Sequence, residues 1–189
     1  IKLEPSNVPS PVNMLIPAGG DVSTKFHFPH ILGVGVSYLI TPRLLLALDV
    51  HYVLWSAFDK YVVELEIPGF ADEEIIENWD DAFTFRFGGQ YALNEKWNLR
   101  AGFLYDQTPQ PAESMDPTLP DANRSAFTGG FGYKCGRWVI DLGYQLEFFS
   151  DRTSPNRNIY VHPLTGVNLG TGTYSTTAHL IAVSFSYLF

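Results

Sequence analysis

Strict alternation over residues 82–105 is the feature that most constrains the fold of this chain. Apolar side chains, many of them aromatic, occupy every second position, and polar residues or glycine occupy most positions between them. A period of two indicates β-strands, because successive side chains of a strand point to opposite faces. One oily and one polar face suit a sheet in the wall of a transmembrane barrel. The apolar positions are Phe83, Phe85, Phe87, Tyr91, Leu93, Trp97, Leu99, Ala101, Phe103 and Tyr105.

Composition narrows the class of protein further. Only 17% of the 189 residues are charged while 15% are aromatic, which departs from an ordinary soluble domain. No apolar run approaches the roughly 20 residues that a membrane helix needs. The net charge of −8 argues against nucleic-acid binding, and the single Cys135 excludes an internal disulfide. The first residues lack the pattern of a secretory signal, so we expect a processed or truncated N-terminus.

Seven strand candidates follow one another, and the connections between them alternate between short and long. Alternate connections of an up-and-down sheet emerge on the same side, with short turns in the periplasm and long loops outside. The pattern therefore predicts an all-β, antiparallel, up-and-down transmembrane β-barrel. The strand candidates are 30–40, 43–56, 82–93, 95–106, 124–134, 137–149 and 174–189. The short turns are 41–42, 94–95 and 135–136, and the long connections are 57–81, 107–123 and 150–173.

In two of these strands the alternating pattern continues beyond one end of the candidate range. Alternation near Val22 predicts that the first strand starts there, with a kink at Pro29, because proline donates no ladder hydrogen bond. Alternation over 61–67 predicts that the second strand continues that far.

Aromatic residues near the short turns predict a girdle at the inner membrane interface. The girdle residues are Tyr38, Tyr91, Trp97, Tyr133 and Trp138. The last strand ends on Phe189, which resembles the C-terminal assembly signal of bacterial outer-membrane proteins. Seven strands would leave two edges unpaired in lipid, so we expect either that an N-terminal portion with further strands is missing or that copies assemble together, and we favour the first.

An ordered series of segments resembles the C-terminal half of the FadL-like long-chain fatty-acid outer-membrane transporters. The series is PHILGVGV at 29–36, TPRL at 41–44, WS at 55–56, FDK at 58–60, NW at 78–79, FRFG at 85–88, WNLRAG at 97–102, YDQTP at 105–109, LPD at 119–121 with Arg124, and DLGY at 141–144. The resemblance implies a monomeric 14-stranded barrel of the Gram-negative outer membrane, plugged by an N-terminal hatch and with a lateral exit. Residues 21–189 would form the C-terminal half of that barrel, and 1–20 an external loop.

The resemblance also implies passive uptake of long-chain fatty acids or other hydrophobic small molecules. With the aromatic face toward lipid, the polar positions face the lumen. Ion pairing among them is the first interpretation; the second is that Arg86 or Arg100 attracts a fatty-acid carboxylate. Asp106 and Arg124 are expected to pair and fasten the 107–123 loop. The lumen-facing candidates are Asp49, His51, Arg86, Gln90, Arg100, Arg137, Asp141, Gln145 and Glu147.

Other polar residues suggest less chemistry. The acidic run over 72–81 is either a solvated loop or a site where divalent cations bridge to lipopolysaccharide, and 73–79 is expected to make one or two helical turns with Ile75 and Ile76 facing inward. His27 and His30 would fall on opposite faces of a strand, so no metal site is predicted. No nucleophile motif or phosphate loop stands out, so we predict neither an enzyme nor a cofactor.

Two alternatives stay open on the sequence alone. Alternation does not say which face is outside, so a soluble lipocalin-like carrier with an aromatic cavity would show the same period. A non-transporting barrel, serving as an adhesin or a structural protein, would also fit the long polar loops.

Overall fold

The computed structural model describes residues 2–3, 20–66, 71–115, 120–154 and 171–189. Two short 3-10 helices lie in the connections, and no helix of these residues is long and apolar enough to cross a membrane. The strands, in chain order, are β1 Lys2–Leu3, β2 Gly20–Thr24, β3 Ile31–Thr41, β4 Leu44–Val53, β5 Lys60–Glu66, β6 Glu73–Ile76, β7 Ala82–Ala92, β8 Trp97–Asp106, β9 Arg124–Cys135, β10 Trp138–Phe149, β11 Arg152–Ser154, β12 Gly172–Tyr174 and β13 Thr177–Tyr187.

The seven long strands form one antiparallel sheet in the order β13-β10-β9-β8-β7-β4-β3. Long strands that follow one another in the sequence pair with each other, which is the up-and-down topology. Within the described residues, β3 and β13 are the two edges of an unclosed sheet. The predicted all-β, antiparallel partial barrel of about seven strands is confirmed.

Local hydrogen bonds explain two of the short turns, and a glycine explains the third. The Thr41 hydroxyl accepts from the backbone N–H of Leu44 at 3.1 Å, and the Asn94 side chain accepts from the backbone N–H of Trp97 at 3.0 Å. Such side chains satisfy turn amides that no strand reaches. Gly136 has φ of +60°, a left-handed conformation that favours glycine.

The predicted extensions of the first two strands are wrong. β2 and β5 belong to a separate four-stranded sheet, β1-β2-β5-β6. Two of its strands, β5 and β6, lie within the long connection 57–81. A 3-10 turn at Trp55–Ala57 ends the path of β4, and its rings pack in an aromatic cluster with Phe58 and Trp79. Aromatic burial and pairing with a different partner therefore override a local period of two. β13 likewise begins at Thr177, because Gly172–Tyr174 pairs with β11.

The predicted helical turns over 73–79 are also wrong. Glu73–Ile76 is strand β6, paired with Lys60–Val63 of β5, and Lys60 Nζ donates to Glu74 Oε2 at 2.9 Å. Ile75 is half-buried and Ile76 is 54% exposed, because neighbouring strand residues face opposite sides. Of the predicted loop 1–20, residues 4–19 lie outside the described residues, and Lys2–Leu3 pairs with Gly20 and Asp21.

Glycines on the concave face let the long strands approach closely. A Cβ added to Gly130 would lie 2.6 Å from the Leu142 carbonyl oxygen, whereas one added to the adjacent Gly129, on the convex face, would meet nothing within 4 Å. The convex face instead bears large exposed apolar side chains, among them Ile181 at 75% and Tyr38 at 69% exposure. The concave face is thus the one with the close-packed glycines, and the convex face is the apolar one.

We predict that Gly130→Ala destabilises the full-length protein by about 1–3 kcal/mol, because the new methyl group must push apart two paired backbones. Gly129→Ala is the matched control and should change the free energy of unfolding by less than about 0.5 kcal/mol. Reversible urea unfolding in lipid vesicles measures both. Equal stabilities for the two variants would contradict this account of strand packing.

Candidate functional site

The concave face of the seven-stranded sheet surrounds an open groove of about 880 Å³. Alternation places polar and small side chains on this face, including glycines of β7, β8, β9 and β10. Three groups of charged residues lie on it, at different distances from the short turns. Six of the lining residues are Asp49, Arg86, Gln90, Arg100, Asp141 and Gln145.

The first group joins β4 and β7. Arg86 Nη1 lies 3.0 Å from Asp49 Oδ1 and 3.0 Å from His51 Nδ1, and His51 Nε2 lies 3.0 Å from the same Asp49 oxygen. On β3, a Cβ at Gly33 would lie 2.9 Å from His51, and one at Gly35 would lie 3.0 Å from Asp49. These glycines provide the space in which the Asp49 and His51 side chains lie against the wall.

The second group joins β7, β8 and β10, nearer the short turns. Arg100 Nε donates to Gln90 Oε1 at 2.8 Å, and Arg100 Nη1 donates to Asp141 Oδ1 at 2.5 Å. The arginine reaches Asp141 across β9, where Gly132 leaves space: a Cβ there would lie 2.5 Å from the Asp141 carboxylate. A glycine on the intervening strand is therefore a condition for this ion pair.

The third group lies at the other end of the strands. Arg124 donates to Asp106 Oδ2 from Nε at 3.1 Å and from Nη2 at 2.8 Å, so the structure brings these two residues together. Arg124 Nη1 also lies 3.8 Å from Glu147 Oε2, and Gln145 donates to Glu147. Thr84 donates to Asp106. Two carboxylates thus share one guanidinium at the outer ends of β8–β10.

Of the nine predicted lumen residues, eight lie on the concave face, in one or another of these groups, and Gln145 is the one that donates to Glu147. Asp49, His51 and Arg86 form one, Gln90, Arg100 and Asp141 form another, and Glu147 joins Asp106 and Arg124. Arg137, which was also expected there, lies instead in the short turn before β10, 3.5 Å from the Tyr187 hydroxyl.

The sequence of this chain matches a known protein family. Residues 9–189 match the family described as outer membrane protein transport protein (OMPP1/FadL/TodX). The chain belongs to the OMPP1/FadL/TodX family. The predictions of a FadL-like transport protein, a Gram-negative outer-membrane location and a chain that is not an enzyme are thereby confirmed.

Individual relatives agree with the family match. The chain is 27% identical over 173 residues to an outer membrane protein of Neisseria meningitidis serogroup B, covering 87% of this chain and 37% of that protein. It is 25% identical over 140 residues to a long-chain fatty acid transport protein of Escherichia coli O6:H1, covering 69% of this chain and 30% of the relative. The chain therefore spans about a third of the length of these relatives.

A solved structure shows the same fold. The FadL homologue of Pseudomonas aeruginosa superimposes with a TM-score of 0.75 at 24% identity, covering 90% of this chain and 38% of that one. In transmembrane β-barrels an apolar outer face meets lipid and a polar inner face lines the lumen, and the convex and concave faces of this chain have these two polarities. Rings pair across strands near the short turns, as in Trp97 with Tyr133 at 4.5 Å and Trp138 with Tyr187 at 5.0 Å.

The ends of β8–β10 that lie farther from the short turns are covered by the long loops of this chain. Glu147 is 7% exposed and Ala126 fully buried, although both lie on the concave face. Met115, in the loop after β8, is fully buried, and its carbonyl oxygen accepts from the Ser154 hydroxyl at 2.9 Å. The groove is therefore open beside Arg100 (exposed) but closed over Ala126, nearer the outside.

Arg152 is a positioning residue that the sequence did not reveal. Its guanidinium donates to the carbonyl oxygens of Asp121 and Gln110, each at 2.8 Å, and lies 3.4 Å from the Thr108 hydroxyl. It thereby connects the 150–154 segment to the loop after β8. The partners are mostly backbone carbonyls, which have no residue-type signature, so alternation and composition contained no signal for this role.

Several carboxylates of the acidic run over 72–81 make structural contacts, although Asp72, Glu73, Glu74 and Asp80 are exposed to solvent, as a solvated segment would be. Asp72 accepts from the Leu65 N–H at 2.9 Å, and Glu74 pairs with Lys60. Buried Glu77 accepts from the Trp79 indole at 3.1 Å. These contacts tie β5, β6 and the segment before β7 together.

Asp81 anchors the segment after β4 to the start of β7. Its carboxylate accepts from the Ser56 N–H at 2.9 Å and from the Tyr52 hydroxyl at 2.7 Å. The Ser56 N–H and then the Tyr52 hydroxyl hold the pKa of the Asp81 carboxyl below its ordinary value. A lowered pKa means that the anchor is complete above the ordinary carboxyl pKa of about 3.9 and is lost as the pH falls through the folded value.

We predict that Arg152→Met loosens the loop after β8. Hydrogen bonds to a charged donor are worth about 1.5–3 kcal/mol, so limited proteolysis within residues 107–123 should become about tenfold faster. Arg43→Met, at a short turn on the opposite end of the sheet, is the matched control and should leave the cleavage rate unchanged. Cleavage at the wild-type rate in Arg152→Met would contradict the positioning role.

We also predict that acidification releases the Ser56 amide. Hydrogen exchange at this amide, corrected for its intrinsic pH dependence, should lose protection as the pH drops below about 3.9. Asp81→Asn should lower the protection already at neutral pH, whereas Asp80→Asn should not, because Asp81 is the carboxylate that accepts from Ser56. Full protection in Asp81→Asn at neutral pH would show that the carboxylate does not hold this segment.

Proposed function

We propose that this chain forms the C-terminal half of the wall of an outer-membrane channel that takes up hydrophobic small molecules passively, long-chain fatty acids among them. The observation that carries the proposal is the division of the sheet into a convex apolar face and a concave face where charges are paired. Charges paired along the wall leave the groove between them lined by glycine, alanine and leucine, including Ala47, Gly88, Leu104, Gly143 and Ala182. Such a surface accepts an apolar chain without exposing it to unpaired ions.

Arg86 and Arg100 are the proposed contacts for a carboxylate head group. Both guanidiniums are 43% exposed on the concave face, and each already has one carboxylate partner. Arg100 lies opposite Gln90, four residues along β7 from Arg86, so the two are about 13 Å apart along the strand. A ligand carboxylate would compete with Asp49 or Asp141 for a charge-assisted hydrogen bond, while the alkyl chain lies along the groove.

The direction of curvature argues against a soluble lipocalin-like carrier. That alternative requires the aromatic face to line the cavity, whereas Phe185 and Tyr38 lie on the convex face and are each 69% exposed. The family description as transport proteins favours uptake over an adhesive or structural role.

The proposal extends to the rest of the protein and to its surroundings. Further strands would close the barrel at the β3 and β13 edges, giving a 14-stranded monomer with an N-terminal hatch. Outer-membrane lipid would contact the convex face. Lipopolysaccharide would contact the acidic residues of the β1-β2-β5-β6 sheet. Labelled oleate tests the function: cells lacking the gene should regain uptake when they carry the full-length version, and no gain would overturn the proposal.

We predict that Arg100→Ala weakens binding of a long-chain fatty acid by about tenfold, because a charge-assisted hydrogen bond is lost. Binding of an uncharged alkane of equal length should not change. Asp141→Asn is the paired variant: it keeps Arg100 but removes its competing carboxylate, so fatty-acid affinity should rise. Titration calorimetry of the full-length protein measures both, and equal behaviour of the two ligands in both variants would exclude Arg100 as the carboxylate contact.

A further inference from the structure

The protonation state of His51 follows from its two partners. Arg86 Nη1 is a donor only, and it lies 3.0 Å from His51 Nδ1, so that ring nitrogen must accept. The other nitrogen, Nε2, lies 3.0 Å from Asp49 Oδ1, which is within ion-pair distance. This arrangement requires a neutral imidazole with its proton on Nε2. The three side chains then contain one carboxylate and one guanidinium, and their formal charges cancel.

Few other charged groups face this ring. On β3, the facing positions are Gly33 and Gly35, whose missing Cβ atoms make the space for His51 and Asp49. On β7, Thr84 lies opposite His51, and its hydroxyl donates to Asp106 of β8, the next carboxylate along the wall. Asp81 contacts Tyr52, whose side chain points to the other face of β4. Asp49 and Arg86 therefore dominate the electrostatics of the imidazole.

We propose that Asp49, His51 and Arg86 form a pH-dependent anion site on the luminal wall, which binds the charged head of an amphipathic ligand more tightly as the pH falls. The inference rests on the proposed function for the identity of the ligand. Protonation of His51 changes the formal charge of the group from zero to +1. It also places an N–H where Arg86 previously donated, so Nη1 loses an acceptor and turns toward the groove.

The expected size of the effect follows from Coulomb's law. One added charge about 4–5 Å from an anion, at the dielectric of a partly exposed site, corresponds to at least about a tenfold gain in affinity. Histidine is the side chain whose charge changes within the range of about pH 5 to 8, so the comparison is made between about pH 8 and about pH 5.5.

The test compares two ligands of equal chain length on the full-length protein in lipid nanodiscs. Decane-1-sulfonate stays ionised over this pH range, so any change in its affinity comes from the protein, and 1-decanol reports the hydrophobic contribution alone. We expect the sulfonate to bind about tenfold more tightly at about pH 5.5 than at about pH 8, and the alcohol to bind equally at both. His51→Gln should abolish the pH dependence, because an amide oxygen can accept from Arg86 but does not change its charge with pH.

Two further variants keep the result interpretable. Asp49→Asn gives the group a permanent positive charge, so the sulfonate should bind tightly at both pH values. His179→Gln is the matched control: His179 lies on the convex face, 2.6 Å from the Tyr144 hydroxyl, and its replacement should leave the wild-type pH dependence intact. Alcohol binding and heat-modifiable electrophoretic mobility show that each variant is folded.

The outcomes separate the two proposals. If neither ligand binds the wild-type protein, the proposed channel function is overturned together with the site. If both ligands bind but the sulfonate shows no pH dependence, the channel stands and the His51 site is wrong. Persistence of the pH dependence in His51→Gln, or its loss in His179→Gln, would also overturn the site.

Discussion

The absence of water in a lipid bilayer is the constraint on which this structure depends. Each backbone N–H and C=O inside the hydrocarbon must find its partner on a neighbouring strand. The seven long strands meet this requirement by pairing in sequence order, with β9 and β10 in register over twelve residue pairs. Side chains of Thr41 and Asn94 bond the amides of the short turns, so the chain reverses without a long loop. Among the described strands, β3 and β13 each have one unpaired edge, where further pairing would close the sheet.

Strand pairing also determines where charge can be placed. Once the apolar side chains face lipid, the side chains that alternate with them along the same strands must point toward the lumen. There, each arginine of the three groups meets a carboxylate on another strand, and glycines on neighbouring strands leave room for these contacts. Glu147 is the additional carboxylate, bound by Gln145 and close to Arg124. The nearly balanced charge of this wall is the feature on which the proposed hydrophobic cargo rests.

The loops outside the membrane follow different rules, because water is present there. Their contacts are polar and local to the loops: Arg152 binds carbonyl oxygens, Asp81 binds Ser56 and Tyr52, and Lys60 pairs with Glu74. A small buried core around Met115 and Ser154 accompanies them. These contacts position the loops over the outer ends of β8–β10, so the groove opens toward the short turns.

The sequence by itself determined the features that repeat along a strand. Alternation showed the number of long strands, their two faces and the side on which Asp49, Arg86, Arg100 and Asp141 lie, since a period of two is a local property of the backbone. Tertiary structure decided what the repeats do not encode. β5 and β6 pair in a second sheet, although 61–67 looked like an extension of β4 and 73–79 like helical turns. Arg100 reaches Asp141 across Gly132, and Arg152 bonds backbone carbonyls. The partner of a side chain or a strand is chosen by groups distant in sequence, and only folding brings those groups within hydrogen-bonding distance.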